Sequence, residues 1–265
     1  MVTFTRERTE NGVTERLFDL TVAGERVPAV IWAPENVRGE RPLILMGHGG
    51  SQHKKIGTIA ARARQYAQRL GYATLAIDAP GHGDRISREE AERLAREVSE
   101  RVRGAAGTSG PSAQLLKTMA ERAQRAVPEW KAALDTTLSF DFVENTSRIG
   151  YWGVSMGTAI GVPFVAKETR IKCAVFGLAG LRAGATALEE AAKAISIPIE
   201  FVFQWEDAVA PRESGLALFN AFGSRQKTMH INPGGHVEIP NFEGRSWQAF
   251  FTRHLGAATK SPQAA

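Results

Sequence analysis

The sequence predicts an open α/β sheet with helices on both of its faces. Three observations predict it. Short continuous apolar runs such as Leu43-Ile44-Leu45-Met46 mark strands covered on both sides. Stretches of 3.6-residue periodicity separate these runs, so strand–helix–strand units follow one another and imply parallel pairing with right-handed crossovers. The runs also open into loops that hold the glycines, histidines and aspartates, which gathers chemistry at one sheet edge.

A chain of 265 residues suits one domain of this kind with room for an insertion. With 43% hydrophobic and 23% charged residues it can bury a sizeable core. The net charge of +5 arises from 33 basic and 28 acidic residues of interspersed sign. No basic stripe with interleaved aromatics occurs, so nucleic acid is not an expected partner. The first ten residues are charged and no run reaches the ~20 apolar residues of a membrane helix, so neither a signal peptide nor a membrane partner is expected. Cys173 is the only cysteine, which excludes an internal disulfide and fits a reducing, cytoplasmic setting. Its apolar surroundings read as those of a small buried hydrophobe rather than a reactive thiol.

In chain order, residues 15–21 and 27–33 read as strands joined by a turn at Ala23-Gly24-Glu25. The run 43–46 is a central strand opening into Gly47-His48-Gly49-Gly50-Ser51. Residues 57–70 are helical and capped by Gly71. Tyr72-Ala73-Thr74-Leu75-Ala76-Ile77 is the next strand, followed by the loop Asp78-Ala79-Pro80-Gly81-His82-Gly83-Asp84. Residues 85–103 carry six arginines and five glutamates around one apolar stripe, with pairs Glu89–Arg93, Glu92–Arg96 and Glu97–Arg101 at i,i+4. A small-residue loop, 104–110, precedes a second helix with Leu115, Leu116, Met119, Ala120, Ala123 and Val127, ending before Pro128. We read 85–128 as an inserted helical lid on a core formed by 1–84 and 129–265, the alternative being a long crossover without a role at the site. A helix from Trp130 to Phe142 returns to the core. Pro163 should kink or shorten the helix after Ser155. Strands at 171–178, 197–204 and 227–231 and helices at 179–194, 212–222 and 241–255 complete the chain, and the tail from Gly256 is expected to be mobile.

The chemistry centres on Gly153-Val154-Ser155-Met156-Gly157. A strand, a sharp turn bounded by glycines and a helix form the setting in which a serine hydroxyl stands exposed as a nucleophile. Its base should be His236, on the loop after the last strand, and its orienting acid Asp207, after the strand ending at Gln204. Glu206 is the next acid. His230 and His254 read as structural, and His48, His53 and His82 precede the serine. The Met156 N–H, at a helix start, is one oxyanion donor; the second is Gly50, with Ser51 as alternate. His48 reads as a brace for that loop, and His48, Asp78, His82 and Asp84 lack the spacing of a metal site. Trp152 and Trp205 flank strand ends, where they would line an apolar pocket or pack in the core.

Taken together, Gly47-His48-Gly49-Gly50, Asp78-Ala79-Pro80-Gly81-His82-Gly83, Gly153-Val154-Ser155-Met156-Gly157, Asp207 with Val209 and Pro211, and Gly234-Gly235-His236 resemble the serine α/β-hydrolases, nearest to their dienelactone-hydrolase-like and carboxylesterase-like members. The resemblance spans roughly residues 25–255 and rests on five motifs in order. It implies a mostly parallel eight-stranded sheet, no cofactor or metal, and hydrolysis of a small-molecule carboxylic ester through an acyl-enzyme. Dienelactone hydrolases proper carry cysteine where this chain has Ser155, and Thr158 replaces a common second glycine. A peptidase or amidase, an acyltransferase and a carbon–carbon bond hydrolase would use the same triad. A binding protein with a blunted site is the non-enzymatic alternative, and a homodimer is left open. The insertion has nine basic against six acidic residues, a surplus that favours an anionic substrate group or serves solvation alone.

Overall fold

In the computed structural model, which describes residues 2–36, 38–104, 113–144 and 146–258, and the side chains of all these except 101, 104 and 113–116, the apolar runs form one sheet. β1 (Phe4–Glu10), β2 (Val13–Val22) and β3 (Glu25–Pro34) are antiparallel. Ala23 and Gly24, at φ 51° and 82°, make the two-residue turn between β2 and β3, a geometry that matches the twist of the strands it joins. β4 (Leu43–Gly47), β5 (Ala73–Ile77), β6 (Ile149–Gly153), β7 (Ile171–Gly177), β8 (Ile199–Gln204) and β9 (Lys227–Asn232) follow. The order is β1-β2-β3-β5-β4-β6-β7-β8-β9. β3 pairs antiparallel with β5, and all later pairings are parallel.

The sheet is mostly parallel as expected, but it has nine strands among the described residues rather than eight. The unforeseen strand is β1. Arg6, Glu7, Arg8 and Glu10 leave it without apolar alternation, and main-chain pairing with β2 defines it. Phe4 alone turns inward, against Phe18 and Phe140.

The helices are α1 (Gly57–Leu70), α2 (Arg88–Gly104), α3 (Ala113–Leu138), α4 (Met156–Lys167), α5 (Thr186–Ala194), α6 (Arg212–Ala221) and α7 (Glu243–Leu255). Two buried clusters lie on opposite faces of the sheet. β6 shows the division, because neighbouring side chains of a strand point to opposite faces. Tyr151 packs with Trp130, Phe164 and Phe176, whereas Trp152 meets Trp247 of α7. No helix among the described residues is long and apolar enough to cross a membrane.

Gly71 caps α1 at φ 71°, as expected. On α2 the described ion pairs run from Arg88 to Glu92 at 2.8 Å and from Arg93 to Glu97 at 3.2 Å, in place of the expected Glu89–Arg93 and Glu92–Arg96. The expected Glu97–Arg101 pair involves a side chain outside the described ones. The largest difference is α3. The sequence suggests a break at Pro128, yet one helix of 26 residues runs through it. Proline removes one amide donor and crowds the carbonyl four residues back. Ala126, Trp130, Ala133 and Leu134 are buried on both sides of it, and a break would expose that stripe. Pro163 likewise lies inside α4 without ending it. The expected loop beyond Gly104, the side chains of Leu115 and Leu116, and the tail from 259 lie outside the described residues.

Buried polar groups tie the loops at the carboxyl ends of β4 and β5. His48 donates from Nδ1 to the Gly49 carbonyl at 2.8 Å, and its Nε2 accepts the Ala79 N–H at 3.0 Å. It braces the loop, as its sequence position suggests. Asp78 accepts the Lys54 N–H and ammonium, each at 2.7 Å, and the Asp84 N–H at 2.9 Å. The Lys54 ammonium also reaches Asp84 at 2.5 Å and so bridges the two aspartates. Arg85 makes a two-pronged pair with Glu129 of α3 at 2.7 and 2.9 Å, and both side chains are buried. Burial pushes the His48 and His82 imidazoles down to about 4.

Two predictions follow from these buried groups. The two histidines stay neutral in the folded chain while the unfolded chain takes up protons near pH 6.5. Stability is therefore complete above about pH 6.5 and should fall by a few kcal/mol as pH drops toward about 4. Urea melts at several pH values check this, and a His82→Asn variant should show a shallower slope. Glu129→Ala leaves Arg85 buried without its partner and should cost about 3–5 kcal/mol in the same assay.

Candidate active site

Ser155 sits where β6 turns into α4. Its φ of 57° and ψ of −120° lie outside the ordinary regions for a side-chain-bearing residue. Such a conformation costs on the order of 1–3 kcal/mol and persists where the surroundings over-determine it. Here they do. A Cβ on Gly153 would stand 2.8 Å from the Gly157 carbonyl, and one on Gly157 would stand 2.5 Å from the Gly47 carbonyl. Only hydrogen at both positions lets strand and helix close. Thr158 Oγ1 lies 2.8 Å from the Gly153 carbonyl and 2.7 Å from that of Gly177, and it accepts the Gly177 N–H at 2.9 Å. Its departure from glycine thus adds a clamp between β6, α4 and β7.

The three residues singled out by motif order meet. Ser155 Oγ is 2.9 Å from His236 Nε2, and His236 Nδ1 is 2.7 Å from Asp207 Oδ2. A carboxylate only accepts, so Nδ1 carries the proton and Nε2 offers its lone pair to the serine hydroxyl. Asp207 is buried, and its other oxygen accepts the Val209 and Ala210 N–H groups, each at 2.8 Å. The loop after β8 is thereby wound around the same carboxylate that faces the imidazole. Glu206, the other acid considered, instead accepts the Gly234 N–H and shapes the turn before His236.

Met156 is the first residue of α4, so its N–H has no acceptor within the helix. Among the described residues no protein acceptor takes the N–H of Gly50 or Ser51, and both residues line the cleft that contains Ser155. The remaining histidines are engaged elsewhere. His53 accepts the Lys55 N–H, His230 meets Glu243 at 2.9 Å, and His254 packs on Phe250. His82 donates from Nδ1 to the Pro80 carbonyl and leaves a buried Nε2 without a partner among the described residues. Cys173 is fully buried and burial pushes its thiol pKa up, which makes it a core side chain.

The cleft measures about 2200 Å³, well beyond the ~300–1,000 Å³ of a single small-molecule pocket. It is large because it lies between the sheet edge and α2 and α3, which contribute Leu94, Val98, Met119, Arg122 and Val127. Val98 would lie 3.8 Å from a Cβ on Gly50. Trp152 lines the cleft, but Trp205 does not; its ring is 44% exposed beneath the Arg212 guanidinium. An exposed indole at a strand end finds its cover in a cation on the next helix.

Sequence reasoning passed over two cleft arginines. Arg62 of α1 lies between Trp152 and Trp247, 4.2 and 4.5 Å from their rings. The signal is an arginine between Ile59 and Tyr66 on a buried stripe. Arg182 donates to the Val209 carbonyl at 2.6 Å and so holds the loop of Asp207; no local pattern marks it.

No family profile and no curated protein matches the sequence. Solved structures do. A cold-adapted esterase from an Arctic intertidal metagenomic library, in its polyethylene-glycol-bound form, is 32% identical with a TM-score of 0.75, over 96% of this chain and 99% of that one. An acetyl xylan esterase from Paenibacillus sp. R4 is 17% identical with a TM-score of 0.73, over 96% of this chain and 88% of that one. A dienelactone hydrolase from Anabaena variabilis is 16% identical with a TM-score of 0.65, over 92% of this chain and all of the other. The last two share the fold. The first shares the family, and the chain is thus a carboxylic ester hydrolase belonging to the esterases of the α/β-hydrolase fold.

Proposed function

We propose that ester hydrolysis runs through a Ser155–His236–Asp207 triad and an acyl-enzyme. The observation that carries this reading is the unbroken chain of hydrogen bonds from the serine hydroxyl through the imidazole to the buried carboxylate. His236 Nε2 takes the Ser155 proton as Oγ attacks the ester carbonyl carbon. The negative charge that builds on the carbonyl oxygen is met by the Met156 and Gly50 N–H groups, with Ser51 as alternate. The imidazolium then gives its proton to the departing alcohol, which leaves the acyl group on Ser155. Water repeats the sequence and releases the acid. Asp207 holds the imidazole in the tautomer this requires. No metal takes part in this scheme.

We further propose that 85–128 serves as a lid. Its support is the wall that α2 and the first half of α3 give the cleft over Gly50 and Ser155. The Arg85–Glu129 pair fastens that insertion to the core.

Two measurements test the triad. Ser155→Ala should lower kcat/KM on p-nitrophenyl acetate by at least ~10³-fold, and Asp207→Asn should do so by about 10³–10⁴-fold, with circular dichroism unchanged. A fluorophosphonate probe should add one adduct to Ser155 and none to the Ser155→Ala protein. Near-wild-type turnover by Ser155→Ala would falsify the assignment.

A further inference from the structure

On the sheet face covered by α7, well apart in sequence from the serine, three metal-ligating side chains converge. Glu200 of β8, His230 of β9 and Glu243 of α7 present ligand atoms that all lie within 4.8 Å of one another. His230 Nδ1 is 2.9 Å from Glu243 Oε2 and 3.8 Å from Glu200 Oε1. Register explains the meeting. Val202 pairs with His230 and Glu200 with Thr228, so alternate residues of the last two strands share a face, and the first turn of α7 lies over it.

Two carboxylates meet one imidazole in this cluster. Both carboxylates are buried, Glu200 to 95% and Glu243 to 99%. Glu243 has two donors, with Asn232 Nδ2 on Oε1 at 2.8 Å and His230 on Oε2. Glu200 has one, Ser246 Oγ on Oε1 at 3.1 Å, and no donor among the described residues reaches its Oε2. His230 and Arg253 are the positive groups that act on Glu200 beside the second carboxylate, and a bound cation would add to them at the undonated oxygen.

We propose that Glu200, His230 and Glu243 form a binding site for a divalent transition-metal ion of the zinc type. The donor set, one nitrogen and two carboxylate oxygens, suits zinc better than magnesium or calcium, which prefer six or more oxygens. With bonds of about 2.0–2.2 Å, two ligand atoms on one ion stand roughly 2.8–4.4 Å apart. Both distances from His230 fall in that range, and a few tenths of an ångström of side-chain adjustment completes the set. Asn232 and Ser246 already hold the two carboxylates in place from outside, as orienting partners of metal ligands do. His230 is about one-third exposed and gives the ion its entry. On binding, Nδ1 must present its lone pair to the ion, so the ring carries its proton on Nε2.

Position assigns the site a task. His230 lies two residues before the end of β9 and Glu243 opens α7, so the pair closes the base of the 233–242 segment that carries His236. An ion there would staple that segment at its foot without touching the reacting atoms.

The test uses full-length protein stripped with EDTA. Titration with zinc chloride should give one ion per chain by calorimetry. Excess zinc, near 100 times Kd, should raise Tm by about 5–10 °C, and equal magnesium should leave it unchanged. His230→Ala and, separately, Glu200→Gln should keep the wild-type circular dichroism and lose both effects. Absence of zinc binding by the wild type, or a shift from magnesium alone, overturns the proposal. So does unchanged zinc binding by a folded variant, since the ion would then sit elsewhere, as at His236 and Asp207.

Discussion

The approach of two main chains beneath Ser155 is the constraint on which the rest of this structure depends. The helix that follows the serine begins so close to β4 that the Gly157 Cα rests against the Gly47 carbonyl. Below this crossing lies Tyr151, whose hydroxyl donates to the Gly157 carbonyl at 2.7 Å. Added carbons on Gly47 and Gly161 would overlap the same ring, at 2.3 and 2.2 Å. The elbow is thus a large aromatic set among positions that can carry only hydrogen. The positive φ of Ser155 is the remainder once tyrosine, helix start and β4 have taken their places. A strained residue with so little freedom projects its hydroxyl in one direction, which orientation-dependent chemistry requires.

The loops that surround the elbow follow a shared electrostatic plan. Asp78 and Asp207 are both buried just beyond a strand. Asp207 takes two loop N–H groups on one oxygen and His236 on the other, while Asp78 takes the Lys54 N–H on one oxygen and both the Lys54 ammonium and the Asp84 N–H on the other. A buried carboxylate satisfied on both oxygens is a rigid node, because any loop movement strands a charge away from water. At Asp78 the node is closed by an ammonium and is structural. At Asp207 it is closed by an imidazole, whose far nitrogen remains available to the serine hydroxyl.

Much of this was legible in the sequence, and the reasons are local. Strands buried on both faces read as unbroken apolar runs, so β4 to β8 announce themselves. The order of serine, acid and histidine survives in sequence because each follows its own strand, and Gly153 and Gly157 betray the elbow through steric need. The parts that stayed hidden depend on partners far along the chain. β1 is charged and exists through its pairing with β2. Trp205 looked like a pocket wall because nothing nearby shows that Arg212 covers it. Arg182 and Glu200 gain their meaning from residues 27 and 43 positions away, Val209 and Glu243. Pro128 misled for a complementary reason, since local chemistry argues for a helix end and distant packing overrules it.

That override shapes how the cleft is closed. The second half of α3 belongs to the core, because Trp130 packs on Tyr151 and Phe164 directly beneath the elbow. The first half belongs to the cleft wall, with Met119 and Arg122. One continuous helix therefore links the wall to the ground under the serine. Its weakest point is the turn from 124 to 128, where proline withholds a hydrogen bond. One residue further on, Glu129 is clamped by Arg85. The proline turn thus lies between the packed tyrosine on one side and the cleft on the other. The wall also reaches the elbow directly, since Arg122 donates to Met156 Sδ at 3.7 Å, so the first half of α3 touches the residue that follows the serine.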